Sequence, residues 1–152
     1  MRYEQLLISS EPNIKIKEKN LEYGFKGIYR NGKIFIDKKI PTASEKTCIL
    51  AEELGHHYTT VGNIIDQSKI ENRKQELKAR RWAVKRLIRV EDFINAFDAG
   101  IKNRAELADF LEVTEEFIEL AIKHFQGIYG VSHTIGNYTI FFSPLWVYKN
   151  IE

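Results

Sequence analysis

Ala51-Glu52-Glu53-Leu54-Gly55-His56 is the stretch on which the reading of this chain turns. On an α-helix, residues four apart share a face. Glu52 and His56 can therefore grip one cation together. Glu53 sits about a third of a turn round, where an unligated carboxylate can take a proton from activated water. The helix has a readable start. Pro41 precedes Thr42, and Glu45 follows Thr42 by three residues, the spacing of a capping box. Ile49, Leu50, Ala51 and Leu54 supply its apolar side, and Gly62 with Asn63 mark its end. Cys48, the one cysteine, excludes an internal disulfide, suits a reducing compartment and reads as a small buried hydrophobe.

Upstream of the motif, a short helix is expected at Tyr3–Leu7. Ile14 to Lys17 alternates as a half-exposed strand does. Two β-rich runs flank Asn31-Gly32, the preferred pair for a type I′ hairpin, so a small antiparallel sheet precedes the motif helix. A second helix is expected from Ile70 to Ile88, with Leu77, Ala79, Ala83, Val84 and Leu87 facing inward. Glu91 to Ala99 reads as a helix closed by Gly100. Asn103 with Glu106, then Thr114, open two more helices, and Tyr138 to Phe142 reads as a terminal strand stopped by Pro144. The expected architecture is α+β: a small sheet with a metal-binding helix pair, a helical segment, and a strand returning to the core. The segments fall at 1–89, 90–130 and 131–152, within one compact domain.

A hydrolytic zinc site has three protein ligands and one open position. Glu52 and His56 give two. Glu76 is the best third, since twenty residues allow the helix to end, turn and come back antiparallel. Gly55 would remove bulk beside the ion, and Ala79 and Ala83 would let the second helix approach. His57 points about 100° away from His56. Glu53 with His57 is the rival ligand pair, but it leaves no general base, and His57 reads better as a solvated or core-edge residue. Tyr58 reads as packing. His124 and His133 are ordinary histidines by default, though either could polarise a peptide carbonyl.

The motif is His-Glu-x-x-His with Glu52 at its first position. With Glu76 to Ala83 after it, the stretch Cys48 to Gly62 resembles the ImmA/IrrE family of metallopeptidases. The Asn31-Gly32 hairpin and Phe142-Ser143-Pro144-Leu145 resemble its phage and mobile-element members. The resemblance implies a zincin-like fold, a metal held by Glu52, His56 and Glu76, and Glu53 as general base. It also implies a protein substrate, a helix-turn-helix repressor whose cleavage relieves repression. Two carboxylates and one imidazole cancel the charge of a divalent ion, where two imidazoles and one carboxylate would not. The site is therefore a weaker Lewis acid, and its oxygen-rich ligation admits Mn2+ or Fe2+ as well as Zn2+. The alternative function is a weak or inactive relative that holds the repressor without cutting it.

The hydrophobic fraction of 43% and aromatic fraction of 12% fit a folded globular chain. A net charge of +2 gives no global field for nucleic acid or membrane. No apolar run spans a bilayer and no signal pattern opens the chain, so the expected location is the cytoplasm. Lys69 to Arg89 is basic and reads as a solvated face. Ala105 to Thr114 and the helix after it read like a helix-turn-helix, yet Glu91 to Lys123 is strongly acidic. Acid repels phosphate, so no direct nucleic-acid partner is expected. An acidic platform suits a basic DNA-binding partner instead. The sequence leaves the oligomeric state open.

Overall fold

The computed structural model describes residues 2–10, 14–59 and 69–151. Contacts divide the chain into two units, Met1–Arg86 and Leu87–Glu152.

The first unit opens with α1 (Arg2–Ser9) and β1 (Lys15–Lys19), followed by β2 (Gly27–Arg30) and β3 (Lys33–Asp37). The hairpin forms as Asn31-Gly32 requires, with φ of 49° and 74°. β2 and β3 pair antiparallel, and β1 adds to the other side of β3 in parallel, giving the order β1-β3-β2. Ile34 and Ile36 are fully buried on one face of β3. Helix α2 (Ala43–Thr59) packs on β2, β3 and α1. Its start is the predicted cap: the Glu45 amide donates to Thr42 Oγ1 at 3.1 Å. The Glu45 carboxylate does not complete the box but pairs with Lys26 at 2.6 Å. The expected stop at Gly62 and Asn63 lies outside the described residues.

Helix α3 (Lys69–Leu87) buries Ala79, Ala83, Val84 and Leu87 as expected. Leu77 does not join them and is 47% exposed. It stands about 200° from Ala79 round the helix, so a face that holds Ala79 and Ala83 turns Leu77 to solvent.

The second unit contains α4 (Glu91–Asp98), α5 (Arg104–Leu111), α6 (Glu115–Tyr129), β4 (Ser132–Ile135), β5 (Tyr138–Phe142) and β6 (Leu145–Lys149). Gly100, at φ 81°, lets the chain leave α4. Both predicted caps are made. The Glu106 amide donates to Asn103 Oδ1 at 2.8 Å, and the Phe117 amide to Thr114 Oγ1 at 3.1 Å. Thr114→Ala should cost about 1 kcal/mol, read by urea denaturation of the full chain. The expected terminal strand Tyr138–Phe142 is the middle of a separate antiparallel sheet, β4-β5-β6. It pairs with its own neighbours rather than with the β1-β3-β2 sheet, because the turns at Gly136-Asn137 and Ser143-Pro144 fold adjacent strands onto it. Segments 90–130 and 131–152 thus share one unit. Phe93, Phe117, Ile118, Ile140 and Phe142 fill its core, and the Tyr138 hydroxyl donates to the Asp98 carboxylate at 2.9 Å. No described helix is long and apolar enough to cross a membrane.

Candidate active site

The last turns of α2 carry Glu52, Glu53, His56 and His57, and α3 brings Glu76 to them. The two helices meet at Gly55 and Ala79. A Cβ on Gly55 would lie 2.4 Å from the Ala79 carbonyl oxygen and 3.0 Å from its Cα. Gly55 therefore serves the helix crossing, rather than clearing space beside an ion. The close approach has a direct result. His56 follows Gly55, Glu76 precedes Ala79 by one turn, and His56 Nε2 stands 3.1 Å from Glu76 Oε1. The His56 side chain is largely covered, at 19% exposure, whereas that of Glu76 is half open, at 50%.

Glu52 and Glu53 are half-buried. Burial pushes the Glu52 carboxyl above the usual carboxylate range; the Arg80 guanidinium draws it back, and the Glu76 carboxylate adds to the rise. Burial also pushes Glu53 up, to about 7, with the Glu52 and Glu76 carboxylates contributing. Three carboxyl groups thus sit in one another's field, and a proton or a cation relieves them.

His57 is held elsewhere. Its Nδ1 shares a 2.9 Å hydrogen bond with the Tyr29 hydroxyl, which also accepts from the Gly32 amide at 3.3 Å. This places it at the core edge against β2. Tyr58 stacks on Trp82, with ring centroids 5.0 Å apart, as a packing residue should. His124 and His133 lie in the second unit, where His133 stacks on Tyr129 at 3.8 Å.

Three contributors escaped the sequence reading. Gly27 brings the β2 backbone against the general-base candidate: a Cβ there would fall 3.1 Å from Glu53 Cγ and 2.6 Å from Ile49 Cγ2. Tyr29 anchors His57. Arg80 offsets Glu52. A signal for the first two exists. Residues two apart on a strand and four apart on a helix each repeat on one face, so Gly27 and Tyr29 can meet Glu53 and His57 in turn.

His56 and Glu76 are in contact, and Glu52 shares their electrostatic field. Among the described residues no group of three potential ligands is gathered at metal-holding distances. The donor set nonetheless suits a divalent cation. It offers one imidazole nitrogen and an excess of desolvated carboxylate oxygen, which disfavours its own ionisation until positive charge is supplied.

A peptidase family model described as the IrrE N-terminal-like domain matches residues 10–123, well over half of the chain. No curated protein and no solved structure matches. The matched region contains α2 and α3 with Glu52, Glu53, His56 and Glu76 in the same span. By that match the chain belongs to the ImmA/IrrE family, a family of metallopeptidases.

Proposed function

We propose that this protein is a metal-dependent endopeptidase that cleaves a helix-turn-helix repressor of a phage or mobile element. The observation that supports it most is the contact between His56 on α2 and Glu76 on α3 beside two partly desolvated carboxyls. Glu52, His56 and Glu76 would hold the ion, zinc in the first place and Mn2+ or Fe2+ as alternatives. Bound there, the ion supplies polarisation of water and of the scissile carbonyl. Glu53 accepts the proton of the attacking water and returns it to the leaving amine. The β2 backbone at Gly27 stands against the side chain that does so.

Incubating the full chain with zinc and the repressor encoded beside it tests the reading. Cleavage is expected, lost on chelation and restored by added zinc. Tight repressor binding with no cleavage under any of the three metals would favour the non-cutting regulator, a reading to which the Arg80–Glu52 attraction lends support.

The substituted ligand gives a separate expectation. Glu52→His exchanges a carboxylate for an imidazole and leaves the ion with more residual charge. It should raise zinc affinity by about tenfold or more and increase cleavage. Competition with a zinc-binding dye measures the first, and a folded variant with no gain in either quantity refutes the role of Glu52.

A further inference from the structure

The β1-β3-β2 sheet has two unlike faces. Ile34 and Ile36 point inward, so their neighbours on β3 point outward. The strand pairing sets the outward residues in rows. The first row is Lys15, Lys33 and Arg30, three cations abreast. The second is Lys17, Phe35 and Ile28. The third begins with Lys19 and Asp37. All five cations are exposed. Among the described residues none of the five forms an ion pair, whereas nearby Lys26 and Lys46 pair with Glu45 and Glu18. Asp37 is turned to the backbone, its Oδ1 accepting from the amides of Leu21 and Lys39.

Like charges opposite one another on paired strands destabilise a sheet. Lysines on edge strands guard against strand addition, which accounts for β1 but not for Lys33 on the central strand. The face also holds a groove of about 340 Å³, floored by Leu21, Ile28 and Phe35 and bordered by Lys19, Arg30, Asn20 and Glu22. Lys19 Nζ stands 4.1 Å over the Phe35 ring. Cations thus flank an apolar, ring-bearing floor.

We propose that this outer face binds single-stranded nucleic acid, with phosphates along Lys15, Lys33 and Arg30 and a base against Phe35 and Ile28. Neighbouring strands stand about 4.8 Å apart, and the long Lys and Arg side chains of the row can splay to meet successive phosphates. A single strand presents the faces of its bases, which a duplex keeps stacked. An acidic protein would satisfy the cations and leave the ring-lined floor unused. Binding on this face runs against the expectation of no direct nucleic-acid partner, which rested on the net charge and on the acidic segment 91–123.

Fluorescence anisotropy of a labelled oligothymidylate with the full chain tests this. Binding should weaken with salt. Because each neutralised phosphate contributes about 0.7 to the log–log slope, the triple variant K15Q/R30Q/K33Q should lose roughly 2 units of slope and about tenfold or more in affinity at low salt. The variant K74Q/K78Q/K85Q removes the same charge from α3 and should bind as the parent does. F35L should weaken oligothymidylate binding but not polyphosphate binding. Circular dichroism checks that each variant is folded. Equal loss from the α3 variant, unchanged binding by the sheet variant, or tighter binding of duplex overturns the proposal. So does poly-glutamate that competes charge for charge, which would make an acidic protein the partner.

Discussion

Glu53→Gln should abolish cleavage and, in metal-free protein, raise stability above neutral pH. The first effect follows from the proton-transfer role, whose removal costs about 10²–10⁴ in rate. Retained cleavage would exclude that role. The second follows from burial. The folded-state carboxyl of Glu53 is pushed up to about 7, above the ordinary value of 4.5, by desolvation and then by Glu52 and Glu76. The folded chain therefore holds a proton that the unfolded chain releases. This group's contribution is fully present below the unfolded pKa and is lost as pH rises through about 7. At about 1.4 kcal/mol per pH unit, the loss is on the order of 3–4 kcal/mol. Gln keeps the shape against Gly27 and cannot ionise. Urea denaturation with chelator present should show the variant gaining on the parent from pH 5 to pH 8. A constant difference across that range would sink the account of a desolvated carboxyl.

Gly55→Ala should damage fold and site together. Its Cβ would stand 2.4 Å from a backbone oxygen, and the other close atoms are the Ala79 carbonyl carbon and Cα. No rotamer change relieves such a clash, so α2 and α3 must move apart. Overpacking of this kind costs about 1–3 kcal/mol, against a gain of up to about 1 kcal/mol from the better helix former. The separation also pulls His56 from Glu76, so zinc affinity should fall more than stability does. Denaturation and dye competition on the same preparation read both. Ala79→Gly should not rescue the variant, because the obstructing atoms are backbone. Parental stability with parental zinc affinity would refute the crossing.

Local chemistry was the legible part of this fold. Thr42, Asn103 and Thr114 cap their helices because a side-chain oxygen three residues ahead of an unpaired amide is a local arrangement. Asn31-Gly32 turns because both positions accept positive φ. The i, i+4 pairing of α2 and the returning Glu76 were readable for the same reason. What escaped depends on distant partners. Ser132–Ile135 and Leu145–Lys149 are short, carry few buried residues and become strands by pairing with Tyr138–Phe142. Leu77 is apolar by composition but off the buried arc. Arg80 shows its relation to Glu52 only once two helices have crossed.

One four-residue strand, β2, serves two surfaces at once. Gly27 and Tyr29 look toward Glu53 and His57, and Ile28 and Arg30 look the other way. Alternation locks the two sets in antiphase. Evolution can therefore exchange side chains on either surface independently, but a single inserted or deleted residue would swing Tyr29 to solvent and drive a guanidinium toward the interior. The length of this strand is thus as tightly constrained as the missing side chain at Gly27.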